Sequence, residues 1–121
     1  MLPGFHFEDW RIVEEGFHPE NQLVAESLFA LGNGAMGHRG SFEEPFSGQT
    51  MPGNYLAGLF YLDSPASGHA ISGQPASRAR LASAPNWIGL ELEFDGEPFD
   101  LNRAEILEFR RVLNLREGYL Q

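Results

Sequence analysis

Cysteine is absent from the 121 residues, and so is lysine. Without thiols the chain can form no disulfide, thiolate nucleophile or cysteine-based metal site. Eight arginines stand against seventeen Asp and Glu, for a formal net charge of −9. Such a balance argues against nucleic acid, whose phosphates draw clusters of Lys and Arg, and against an anionic membrane surface. No apolar run approaches the roughly 18 residues of a membrane-spanning helix. The start, Met1-Leu2-Pro3-Gly4-Phe5-His6, has neither the basic nor the apolar region of a secretory signal. A soluble, cytoplasmic chain is the expectation, of a length that suits one domain with a modest core. Histidine is scarce: His6, His18, His38 and His69 fit no metal-binding spacing and are read as structural or surface residues. Neither a metal nor an organic cofactor is implied.

What the chain does have is glycine, concentrated in one place. Gly32, Gly34, Gly37 and Gly40 fall within nine residues of the stretch Glu26–Glu44. Density of this kind marks turns with φ > 0, or close approach of another backbone. Asn33-Gly34 is a strong hairpin signal. Gly32-Asn33-Gly34-Ala35-Met36-Gly37 also fits the bare G-x-G-x-x-G pattern. That fingerprint must open a helix, and Gly40 and Pro45 bracket the following residues too tightly for one. A strand–turn–strand unit is the better reading, with Arg39 paired to Glu26, Glu43 or Glu44.

The same stretch, with its flanks, carries a resemblance. It reads Glu26-Ser27, Phe29, Leu31-Gly32-Asn33-Gly34, Gly37, Arg39-Gly40 and Glu43-Glu44, preceded by Trp10, Glu14 and Phe17. Further on come Gly53-Asn54-Tyr55 with Gly58 and Phe60, then Pro85-Asn86-Trp87, Asp95-Gly96 and Leu113-Asn114-Leu115-Arg116-Glu117-Gly118-Tyr119-Leu120. In order and spacing this resembles the start of glycoside hydrolase family 65, which holds the maltose, trehalose and kojibiose phosphorylases and related disaccharide hydrolases. Asn114 departs from the Asp frequent in the family, and Met36 and His38 from its apolar choices. The resemblance implies an all-β fold, part of a galactose-mutarotase-like supersandwich of antiparallel sheets with few short helices. Residues 1–121 would form a single, partial N-terminal β-sandwich domain, lacking the catalytic helical barrel. The parent enzyme would cleave an α-linked disaccharide with inorganic phosphate as co-substrate, inverting to β-glucose 1-phosphate. The missing barrel would be this chain's partner, and a homodimer pairing its open strand edges is a further expectation. A stand-alone carbohydrate-binding or oligomerisation module is the alternative.

Along the chain, Phe5, Phe7, Trp10, Ile12 and Val13 suggest a first strand segment. Leu23–Leu31 fits either a helical face or an extended run, and the family context favours a strand from about Ser27. Tyr55–Leu62 is apolar on both faces, so a central, doubly covered strand is expected. Ser64–Ala84, rich in Ser, Ala, Gly and Pro, reads as a surface loop. Trp87–Phe94 alternates like a strand with one buried face, and Asp95-Gly96 turns it back. Residues 104–117 are read as a strand, with Leu107, Phe109, Arg111, Leu113 and Leu115 at alternate positions, ending at a Gly118 turn.

Inverting glycoside cleavage needs a carboxylic acid and a nucleophile arriving from the opposite face. Glu91 and Glu93, one strand repeat apart at roughly 7 Å, approach that separation, but a solvated sheet face is the simpler reading. Glu14-Glu15 and Glu43-Glu44 are the other carboxylate pairs. No catalytic residue is carried over, since the resemblance places the acid and the phosphate pocket in the later barrel. Trp87 and Tyr55 are the aromatic candidates for stacking on sugar, although core packing suits both. For contact with the barrel or its sugar, the candidates are Asn33, Arg39 and Asn54, polar groups held by glycine-rich turns.

Overall fold

The computed structural model describes residues 3–63 and 78–121. The chain opens with a hairpin of β1 (Phe5–Glu8) and β2 (Arg11–Glu15), turning at Asp9-Trp10, so the first apolar segment is two strands. A short 3-10 turn at Pro19–Asn21 leads into α1 (Gln22–Leu28). Strands β3 (Leu31–Gly32), β4 (Met36–His38) and β5 (Asn54–Leu56) form a second, three-stranded sheet. Two small hairpins follow, β6 (Phe60–Asp63) with β7 (Arg78–Leu81), and β8 (Glu93–Phe94) with β9 (Glu97–Pro98). The chain then returns to the first sheet through β10 (Arg110–Asn114) and β11 (Tyr119–Leu120), giving the order β1-β2-β10-β11. All described pairings are antiparallel, and the fold is all-β with one short helix.

Local chemistry explains the hairpins. Asp95 and Gly96 both take positive φ, 51° and 84°, the combination a tight two-residue turn needs. Gly34 has φ 85°, and Asn33 Oδ1 accepts the backbone N–H groups of Ala35 and Met36, each at 3.0 Å. The β10–β11 turn ends on Gly118 at φ 71°.

Several expectations are corrected. Residues 104–117 are strand only at Arg110–Asn114, and Leu107 is exposed. Gln22–Leu28 is helix, and strand appears only at Leu31–Gly32. The buried face of α1 is Gln22, Ala25 and Glu26, two of the three polar, so apolar periodicity does not favour the helix over an extended run. Tyr55–Leu62 is not one central strand. Gly58, at φ 80°, and the Leu59 N–H to Leu56 carbonyl bond (3.1 Å) break it between two sheets. Leu56, Leu59, Phe60, Tyr61 and Leu62 are exposed. Trp87–Phe94 is strand only at Glu93–Phe94, because Asn86 Oδ1 draws in the Ile88 and Gly89 N–H groups and bends the chain. Leu90 and Phe94 are therefore exposed rather than on a buried face. Of Ser64–Ala84, residues 64–77 lie outside the described residues, as does His69, and residues 78–81 are strand β7.

The core lies where α1 packs on the four-stranded sheet. Phe5, Ala25, Phe29 and Leu113 are buried together, flanked by Ile12, Leu28, Leu31 and Leu120. Phe5 and Phe29 stack at 5.8 Å between ring centroids. Gly40 crosses this helix end so closely that an added Cβ would lie 2.4 Å from Phe29 Cβ. Its N–H donates to the Glu26 carbonyl at 2.9 Å, tying the chain after β4 to the helix. A Gly40→Ala variant is expected to lose about 1–3 kcal/mol, the usual range for overpacking a filled site, read from urea unfolding of the two proteins.

Candidate functional site

Two buried carboxylates organise the polar interior. Glu14, on β2, is 1% exposed and meets Arg111 of β10 in a two-point pair: Nη2 lies 2.6 Å and Nε 2.7 Å from Oε2. Arg111 also donates through Nη2 to Gln22 Oε1 (3.1 Å) and through Nη1 to the Gly40 carbonyl (3.2 Å). Its guanidinium carbon stands 4.6 Å from the Phe42 ring centroid, 5.0 Å from Phe29 and 5.4 Å from Phe109. Phe17 and Phe46 complete that aromatic group by edge-on contacts. Burial pushes the Glu14 carboxyl up and the Arg111 guanidinium down, and the ion pair opposes both shifts.

Glu26, fully buried on α1, is the second centre. It accepts from Thr50 Oγ1, from the Met51 N–H (2.9 Å) and from Gln22 Nε2 (3.4 Å). This carboxylate holds the Pro- and Gly-rich loop 45–53 against the helix. Arg39 approaches it at 3.6 Å, so of the three partners considered for Arg39, Glu26 is the one it takes.

Arg39 and Asn54 are brought together, and Asn33 is not. The Arg39 N–H donates to the Gly53 carbonyl at 2.9 Å, beside the His38–Asn54 pair of β4 and β5. The Arg39 side chain donates to the Leu23 carbonyl (3.2 Å) and Ser27 Oγ (3.0 Å). Asn54 is 2% exposed; its Nδ2 donates to Asn86 Oδ1 at 3.1 Å and its carbonyl accepts from Ala84 N–H at 2.7 Å. Arg39 Nε and Asn54 Oδ1 are buried with no hydrogen-bond partner among the described residues. Asn33 sits at the far, exposed end of the β3–β4 hairpin, on a cleft of about 240 Å³ shared with Leu31, Met36, His38 and Gly118. Next to it lies a cleft of about 630 Å³ running between β4 and β11, where Glu43, Glu44 and Glu108 stand exposed beside His38, Arg110 and Tyr119. Glu91 and Glu93 are exposed as well, and only Glu93 is in a strand. Among the described residues no three His, Asp or Glu side chains are grouped as a metal site would require.

The family described as "Glycosyl hydrolase family 65, N-terminal domain" matches residues 12–121. The chain belongs to this family. A maltose phosphorylase of Bacillus subtilis is 38% identical over 97% of this chain, but only 16% of that protein is covered. A kojibiose phosphorylase of Halothermothrix orenii is 35% identical over 94% of the chain and 13% of its own length. A trehalose phosphorylase of Thermoanaerobacter brockii is 34% identical over 98% of the chain and 16% of its own. A solved structure from the human microbiome, provisionally named a kojibiose phosphorylase, superposes with a TM-score of 0.83 at 32% identity, covering 95% of this chain and 15% of that one. The chain thus spans about an eighth to a sixth of the length of these curated relatives.

In this family 65 domain the motif residues have structural duties. Glu26 secures a loop, Phe29 fills the core, Gly40 permits the helix crossing, and Arg39 ties β4 to α1. Sequence reasoning missed Arg111, Glu14 and Gln22 as one cluster. The available signal was Arg111 itself, a charge placed by alternation on the face of Phe109 and Leu113. Removing one partner of a buried ion pair strands the other charge. Arg111→Met is therefore expected to cost about 3–5 kcal/mol, measured by urea unfolding at neutral pH. A raised Glu14 favours protonation in the folded state, so its contribution is fully present below the unfolded value of about 4.3 and is lost as pH rises through the folded value. Relative to Glu14→Gln, the wild-type chain is expected to lose stability as pH rises above the ordinary glutamate value of about 4.3, followed by urea melts at increasing pH. A gain over the same rise in pH would mean that the ion pair, not burial, dominates Glu14.

Proposed function

We propose that this chain is the N-terminal structural domain of a longer α-glucoside phosphorylase, catalytically silent by itself. The match of residues 12–121 to an N-terminal domain, with relatives six times longer, carries the reading. Maltose, kojibiose and trehalose phosphorylases among those relatives support an α-linked disaccharide and inorganic phosphate as the substrates of the whole enzyme. The interior geometry agrees: the buried carboxylates Glu14 and Glu26 are engaged in packing bonds, leaving neither free to protonate a leaving oxygen. In this reading exposed Asn33 serves the seam with the catalytic region, while Arg39 and Asn54 hold the adjoining strands and loops in shape. In the same reading the enzyme is cytoplasmic and has neither nucleic acid nor membrane as a partner. No helix among the described residues is long and apolar enough to cross a membrane.

The test is a chimera. With this chain in place of the matching segment of the Bacillus subtilis maltose phosphorylase, maltose and phosphate are expected to yield glucose 1-phosphate. The isolated chain is expected to yield none. Turnover by the isolated chain, or a soluble chimera without phosphorolysis, overturns the proposal.

A further inference from the structure

One cleft lies apart from the motif stretch. The Asp9-Trp10 turn of the first hairpin and the Asn114–Gly118 turn of the last lie side by side, joined by the Leu115 N–H to Trp10 carbonyl bond at 2.8 Å. Between them opens a cleft of about 350 Å³ lined by Asp9, Trp10, Arg11, Asn114, Arg116 and Glu117, with Glu8 at its edge. The volume is at the lower end of the ~300–1,000 Å³ typical of small-molecule sites.

Its walls are fixed and its rim is free. Asn114 is buried, and its Oδ1 accepts the N–H groups of Arg116 (3.1 Å) and Glu117 (3.0 Å) while Nδ2 donates to Glu117 Oε2 (3.2 Å). These bonds hold the second turn in one shape. Arg11 is braced by Glu8 at 3.5 Å. The Asp9 carboxylate and the Arg116 guanidinium have no side-chain partner among the described residues and remain available. Trp10, 58% exposed, contributes a large flat ring that the fold does not use for its core.

The chemistry of this lining selects a ligand class. An anion would face Asp9, Glu8 and Glu117 in a chain of net charge −9. A purely apolar molecule would desolvate those charges without replacing their hydrogen bonds. A pyranose fits both features: its C–H face lies on an indole, and its neighbouring hydroxyls can donate to a carboxylate and accept from a guanidinium. We infer that the Trp10 cleft binds a neutral saccharide. The choice of sugar as ligand rests on the phosphorylase reading; the cleft's geometry does not.

Isothermal titration of the isolated chain with maltose and with D-glucose tests this. A saturable isotherm with Kd on the order of 1–10 mM is expected, weakened about tenfold or more in Trp10→Ala. Arg116→Ala, an exposed turn residue with no packing role, is expected to weaken binding as well and guards against misfolding of the Trp10 variant. No saturable binding by the wild-type chain overturns the inference. So does unchanged affinity in a folded Trp10→Ala, or loss in Trp87→Phe instead. None of these results touches the chimera, whose phosphorolysis reads the domain assignment separately.

Discussion

A buried guanidinium is tolerated only when its donors find acceptors, because the cost of removing it from water otherwise exceeds any packing gain. Arg111 meets that condition by drawing acceptors from three separate parts of the chain: Glu14 on β2, Gln22 on α1 and the carbonyl of Gly40 after β4. Phe29, Phe42 and Phe109 cover what remains of the group. The four-stranded sheet, the helix and the glycine-rich stretch are therefore positioned against the same cation. The aromatic side chains alone would pack in many arrangements, whereas the fork of N–H donors accepts few. Glu26 does for the loop at 45–53 what Arg111 does for the sheet, through Thr50 and Met51.

How far the fold could be read in the sequence follows from the range of the forces concerned. Asn33-Gly34, Asp95-Gly96 and Gly118 were legible because turn chemistry is local: the residues that need positive φ sit within the turn itself. Of the strand read over residues 104–117, alternation located the part at Arg110–Asn114 but overran it at both ends. The helix was legible only as one of two readings of Leu23–Leu31, since Gln22 and Glu26 occupy buried positions where apolar residues are sought, and their burial depends on Arg111 and Thr50, far along the chain. Tyr55–Leu62 misled for the opposite reason. Its apolar side chains imply cover on both faces, and among the described residues that cover is missing. Of the candidate site residues, Arg39 and Asn54 were chosen as polar groups beside glycines, but their partners, Ser27, Leu23 and Asn86, could be named only from the fold.

That mismatch between pattern and cover agrees with the family assignment. Phe60, Tyr61, Leu62 and Leu81 are exposed on a hairpin of two strands, an element of marginal stability by itself. Apolar surface of this extent is characteristic of contact with other polypeptide. Relatives of which this chain spans 13–16% have ample sequence to supply it. The polar interior and the uncovered apolar exterior are thus complementary: the first fixes the domain's own shape, and the second suits a domain built to be leaned upon.

The pairing of β2 with β10 has a consequence in time. Glu14 and Arg111 are separated by 97 positions, so the central pair of the first sheet cannot close during synthesis until the residues through β10 have left the ribosome. At synthesis rates of roughly 5–20 residues per second, the first hairpin waits on the order of 5–20 s for its neighbour. During that interval Phe5, Val13 and the uncompensated Glu14 lack the strand that later buries them. A domain whose central strand arrives so long after its neighbour is one in which early folding is exposed to rival pairings, and the early hairpin is where a chaperone would find most to hold.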